Sequence, residues 1–170
     1  MLNTEEMSGT NCVAWFTIFT KNLNDAEVKQ LIKEVQEATG LLPQADPFGE
    51  KDDSSWLLYG VYDSVGSEPD ERMVKDEEFL ERWEYGIDVS EIVDEKVLND
   101  LYGKEDTFVK LKEKYKINYQ LYFCTFLDLC MEDVDGYGDN NISLSLRAME
   151  FLTKIGAYDY LRVITYNSEN

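Results

Sequence analysis

Between Asn141 and Tyr166 the chain carries a helix start, a helix stop and a strand in direct succession. The stretch reads Ile142-Ser-Leu-Ser-Leu-Arg-Ala-Met-Glu-Phe-Leu-Thr-Lys-Ile-Gly-Ala157 and then Tyr158-Asp-Tyr-Leu-Arg-Val-Ile-Thr-Tyr166. A serine ahead of an apolar periodic run accepts from the free amides of a helix N-terminus, and Ser143 is expected to be that cap. Gly156 can adopt the left-handed conformation that ends a helix with least strain. The β-branched and aromatic residues that follow read as a closing strand. A helix that passes at once into a strand restricts the fold to helices laid on a sheet.

The other segments agree with this. Cys12-Val-Ala-Trp-Phe-Thr-Ile-Phe-Thr20 reads as a strand with Val13, Trp15, Thr17 and Phe19 on one face and Ala14, Phe16 and Ile18 on the other. Both faces are largely apolar, as a central strand requires. Asn24 is placed to cap a helix with Asp25 and Glu27 in its first turn, Val28, Leu31, Ile32 and Val35 on one stripe, and Gly40 as its end. Pro43, Pro47 and Gly49 make a loop, and Ser55 to Tyr62 reads as a second strand. Glu81 to Asp88 alternates, with Trp83, Tyr85 and Ile87 on one face, as a half-buried strand paired with the second would. Ile92, Val93, Val97, Leu98 and Leu101 give one helical stripe up to Gly103, and Phe108, Val109, Leu111 and Tyr115 give another. The run from Asn118 to Cys130 is the longest strand signal, with Tyr119, Leu121, Phe123, Thr125 and Leu127 on one face. The expected architecture is α+β: a four- to five-stranded, mostly antiparallel sheet with helices packed on one face, in a single domain over 1–170 with an acidic excursion at about 63–80.

Charge bounds the partners. The formal net charge is −19, and from Glu50 to Lys110 there are 19 acidic and 7 basic residues, so the middle of the chain carries −12 of it. Nucleic acid and anionic membrane surfaces are polyanions that need Lys and Arg to bind them, so neither is expected as a partner. No run approaches the roughly 20 apolar residues of a membrane helix, and Met1 to Met7 has neither a basic start nor an apolar stretch. The expected location is the cytoplasm. Cys12, Cys124 and Cys130 are odd in number and lie in or beside strand-like segments, as buried thiols in a reducing compartment do. The chain has no histidine and no cysteines at ligand spacing, which leaves no histidine general base and no zinc motif; no cofactor is expected.

Four constellations could carry chemistry. Glu68, Asp70, Glu71, Asp76, Glu77 and Glu78 form the densest acidic run, either a solvated loop or a surface for a basic protein such as a toxin nuclease. Asp133-Val-Asp-Gly-Tyr-Gly-Asp139 places oxygen ligands at alternating positions beside a glycine, as calcium loops do. Its spacing is incomplete, since the twelfth position from Asp133 is Leu144 rather than a glutamate. A turn is the expected reading, with Asp133, Asp135 and Asp139 loosely holding Mg or Mn as the form any cation site would take. Tyr59, Tyr62, Trp83 and Tyr85 are either groove-lining or, more simply, core and cross-strand packing. Asp52 beside Asp53 would serve as acid and base only if buried, which an exposed run does not provide. Ser143, followed by Ser145, lacks a histidine and any nucleophile elbow, so its role is capping.

The order of elements also carries a resemblance. The aromatic first strand, Leu41-Leu-Pro43 after the first helix, Trp83-Glu-Tyr85 before the helical section, and Ile142-Ser-Leu-Ser145 with Leu152-Thr-Lys-Ile-Gly-Ala157 resemble a bacterial family known only as domain of unknown function 4279, from about Val13 to Tyr166. The chain departs from that family in its last strand, where members tend to end in an aspartate followed by Ile-Tyr and Arg162-Val-Ile-Thr-Tyr166 stands here. It also adds a strand and an acidic excursion between Trp56 and Leu80. The resemblance implies an α+β fold and a small accessory or toxin-immunity type of protein, without catalytic residues.

Taken together, the residues lead to a non-enzymatic binding protein, a monomer or homodimer, that neutralises a basic protein partner through Glu68 to Glu78. The alternative is a metal-dependent enzyme or small-ligand sensor built on Asp133, Asp135 and Asp139.

Overall fold

The computed structural model describes residues 11–47, 55–63, 89–128 and 143–166. In chain order the elements are β1 (Asn11–Phe19), α1 (Asp25–Thr39), β2 (Trp56–Asp63), α2 (Val89–Ile92) running into a π-helical turn (Val93–Val97), α3 (Glu105–Tyr115), β3 (Asn118–Asp128), α4 (Leu146–Ile155) and β4 (Tyr158–Tyr166). The four strands form one sheet in the order β2-β1-β3-β4. β1 pairs antiparallel with both β2 and β3, while β4 lies parallel to β3. A parallel neighbour needs a crossover, and α4 supplies it. The fold is therefore α+β with a mostly antiparallel sheet, as expected. The anticipated strand at 81–88 lies outside the described residues.

Local signals set the helix ends. Asn24 Oδ1 accepts from the amides of Ala26 and Glu27 at 3.0 Å each, and the Glu27 carboxylate accepts from the Asn24 amide at 2.9 Å, a complete capping box. Gly40 and Gly156 both close their helices in the left-handed region, at φ 79° and 63°. One expectation is corrected. The cap of α4 is Ser145, whose Oγ accepts from the Ala148 amide at 3.0 Å, and Ser143 lies two residues before that cap. Ser145 Oγ also donates to Asp94 at 2.9 Å, a long-range partner that fixes it in the capping position.

The helices cover one face of the sheet. Cys12, Ala14, Phe16 and Ile18 of β1, Tyr59 of β2 and Tyr119, Leu121 and Phe123 of β3 are buried against Leu31, Val35, Phe108, Leu111, Phe151 and Ile155 from the helices. Aromatic edges organise the centre: Phe16 meets Phe108 edge-on at 5.7 Å and Phe108 meets Tyr119 at 5.5 Å. The Tyr119 hydroxyl donates to the Phe108 carbonyl at 2.7 Å, so this deeply buried phenol keeps a partner. The side chains of Thr125 and Leu127 lie outside the described ones.

The stripe from Ile92 to Leu101 is not a regular α-helix. The Leu98 amide donates to the Val93 carbonyl at 2.8 Å, five residues back, and the wider turn lets Val93, Val97, Leu98 and Leu101 all reach the core. This turn comes down on β2 where the strand bulges. Ala14 pairs with Tyr62 and Phe16 with Tyr59, so β2 carries one extra residue there. Gly60 lies in that interval at φ 57°, and a Cβ on it would stand 2.3 Å from the Val97 carbonyl oxygen. Only glycine fits such an approach.

Candidate functional site

The other face of the sheet carries a second apolar set, Val13, Trp15, Leu58 and Cys124, with Trp56, Val61 and Tyr122 packed against it. Strand register arranges these side chains in rows, because residues two apart on a strand point the same way. The middle row is Leu58, Thr17 and Gln120, which are direct partners across β2, β1 and β3. On one side stands the row of Trp15 and Tyr122, continued on β4 by Tyr160. On the other side Phe19 is paired with Trp56.

The middle row consists of smaller or more flexible side chains than the rows beside it, so the surface dips. The result is a half-open trough of ≈ 170 Å³ lined by Trp15, Thr17, Phe19, Asp46, Trp56, Leu58, Gln120 and Tyr122. Its first wall is a ladder of rings: Trp15 stacks on Tyr122 with centroids 4.2 Å apart, and Tyr122 stacks on Tyr160 at 5.5 Å. Tyr160 is left 45% exposed where the ladder reaches the last strand of the sheet.

Asp46 reaches the trough through a segment fastened to β2. After the glycine stop of α1, the Gln44 amide donates to the Leu58 carbonyl at 2.8 Å, and its side-chain Oε1 accepts from the Val61 amide at 2.8 Å. Gln44 thus acts as a short extra pairing on the outer side of β2, and Asp46 follows two residues later. Among the described residues the lining has one carboxylate, Asp46, and no Lys or Arg. The Tyr122 hydroxyl is pushed up to about 12, chiefly by burial, so the phenol stays neutral at ordinary pH. The chemistry available is therefore four aromatic rings, an amide, a hydroxyl and a carboxylate around a space too small for a drug-sized ligand, which needs roughly 300 Å³ or more. It matches the head of a single side chain or a compact organic group.

A separate polar cluster ties α4 to the π turn. Asp94 accepts from the Tyr102 hydroxyl and from Ser145 Oγ, and the Arg147 guanidinium lies 3.8 Å from the centroid of the Tyr102 ring. Burial first, then the bond to Asp94, raises the Tyr102 pKa and keeps that phenol protonated. Ser145 gives its proton to Asp94 and its lone pair to the Ala148 amide, which is the bonding of a cap rather than of a nucleophile.

The sequence-derived candidates fall differently. Glu68, Asp70, Glu71, Asp76, Glu77 and Glu78 lie outside the described residues, as do Asp133, Asp135 and Asp139, the Asp52-Asp53 pair, Trp83, Tyr85 and Cys130. Tyr59 is 1% exposed on the helix side and Tyr62 packs against the same core, so these two belong to packing and not to a groove. Cys12 and Cys124 are buried on opposite faces of the sheet, one in each apolar cluster, and burial raises the Cys124 pKa. Among the described residues no three metal-ligating side chains gather. No described helix is long and apolar enough to cross a membrane. The trough has one signal in the sequence: Trp15, Thr17 and Phe19 share a face of β1 that is largely apolar, like the face beneath the helices.

No family model matches the chain, and neither a curated protein nor a solved structure matches it.

Proposed function

We propose that this chain is a non-enzymatic binding protein of the cytoplasm, of immunity or inhibitor type, that neutralises a basic protein partner through the acidic side chains Glu68, Asp70, Glu71, Asp76, Glu77 and Glu78. The resemblance to domain of unknown function 4279 belongs to the same proposal. What carries the reading is the separation of charge from scaffold. The described residues hold 16 acidic and 12 basic side chains, a net of −4 against −19 for the whole chain. Residues 64–88 add nine acids to three bases, and residues 129–142 add four acids and no base.

Both stretches leave the sheet at the same end. Asp63, the last residue of β2, is paired with Val13, and Asp128, the last residue of β3, is paired with Tyr166. A large excess of one sign of charge steers a cationic partner and raises its association rate by orders of magnitude.

The test is association with the product of the adjacent reading frame, measured for the wild-type chain and for Glu77→Lys with Glu78→Lys. The double variant should associate about tenfold or more slowly at low salt with an unchanged unfolding midpoint. No complex, or an unaltered on-rate, would overturn the reading.

A further inference from the structure

We propose that the aromatic trough on the sheet face opposite the helices receives the guanidinium head of one arginine from the protein partner, between Trp15, Phe19, Trp56 and Tyr122 and against Asp46. This deepens the function proposed above and rests on it. The lining supports an arginine in three ways. Tyr122 has both ring faces taken, by Trp15 and by Tyr160, and so serves as wall, while the rings of Trp56 and Phe19 across the cleft are the ones that can turn a π face to a cation, and a planar guanidinium also stacks beside an indole in a way an ammonium does not. Asp46, Gln120 and Thr17 supply a carboxylate, an amide and a hydroxyl oxygen, acceptors for the five N–H donors of the fork. The cleft of ≈ 170 Å³ suits one side-chain head.

Position agrees as well. Thr17, in the middle row of the trough, is four residues along β1 from Val13, the partner of Asp63, so the trough lies about 13 Å along the strand from where the acid-rich stretch departs. A protein interface burying roughly 800 Å² on each partner spans that separation with room to spare. The acidic side chains would then govern encounter and the trough would hold the anchor. Buried Arg and Trp contacts of this kind dominate interface energetics, whereas rim charges set the rate.

The trough can be tested without any partner. The full chain is titrated with N-acetyl-arginine methylamide and with its neutral isostere N-acetyl-citrulline methylamide, following the indole N–H resonances of Trp15 and Trp56 by NMR. The arginine probe should shift both resonances and bind at least about tenfold more tightly than the citrulline probe. Asp46→Asn should shrink that preference, and Trp56→Leu should weaken the arginine probe while leaving the Trp15–Tyr122 stack in place. Equal affinity for the two probes, a response away from both indoles, or an undiminished preference in Asp46→Asn would each overturn the assignment. Failure of the wider reading has a different signature, a partner complex whose association rate ignores charge reversal at Glu77 and Glu78.

Discussion

The indole of Trp15 lies flat on the ring of Tyr122, with planes 9° from parallel, because residues 15 and 122 are direct partners on β1 and β3. Sequence separates them by more than a hundred positions, and register alone brings them together. Trp15 is only 8% exposed although it stands on the face away from the helices, so this stack is part of the fold's stability as well as a wall of the trough. Trp15→Ala should cost about 3 kcal/mol in urea unfolding, while Tyr122→Phe, which keeps the stack, should cost under about 1 kcal/mol. Comparable losses for both would mean that the hydroxyl, not the ring contact, carries the stabilisation.

Gly60 lies against the Val97 carbonyl, where β2 meets the π turn. With φ at 57° and no room for a Cβ, Gly60→Ala combines backbone strain with a clash against main chain. The variant should lose about 3 kcal/mol or more, or fail to accumulate as folded protein. A Gly60→Ala chain with wild-type urea midpoint would show that the π turn does not sit on β2 as described.

Tyr59 presents the reverse case. Its ring is buried in the core, its hydroxyl has no hydrogen-bond partner among the described residues, and burial drives its pKa upward. An unpartnered buried hydroxyl destabilises by roughly 1–3 kcal/mol relative to a paired one, so removing it should be harmless or helpful. Tyr59→Phe is expected to hold or raise the unfolding free energy by up to about 1 kcal/mol. A marked loss on thermal or urea denaturation would instead reveal a bond to that oxygen.

Across α1 and α3, Glu34 accepts from Lys114 at 2.6 Å, from Tyr115 at 3.0 Å and from Gln30 at 2.8 Å. The Lys114 bond, then Gln30, holds the Glu34 carboxyl below its usual value, and Glu34 in turn raises the Lys114 pKa. A depressed carboxylate contributes stability that is present above the unfolded pKa of about 4.3 and is lost as pH falls through the lower folded value. A raised lysine contributes below its unfolded value of about 10.4 and loses that share as pH rises through the folded one. The stability difference between wild type and Glu34→Gln should therefore be level from about pH 5 to 9 and shrink on both sides, and it should be modest because the lysine is solvent-screened. A difference that grows in acid contradicts the assignment.

What could be read from the sequence, and what could not, divides by range. The Asn24-Glu27 box, the Gly40 and Gly156 stops and the alternation of β1 are decided within a turn or two of chain, and the elements appear where those signals lie. Ser143 and Ser145 are equally good caps locally; Asp94, some fifty residues away, selects Ser145. The π turn was hidden because one extra residue in a helical stripe leaves the apolar pattern from Val93 to Leu101 looking regular. Asp46 and Gln44 gave no sign of their place, since only the pairing of Gln44 with Leu58 carries that segment to β2. The trough needed the registers of three strands at once, which no single segment encodes.

The most direct measurement is the association rate of the wild-type chain with its basic partner by stopped flow, taken from about 20 to about 200 mM salt. Electrostatic capture through the acidic stretches predicts a fall of about tenfold or more over that range, with a much smaller change in the dissociation rate. An association rate that stays flat with salt would contradict the account.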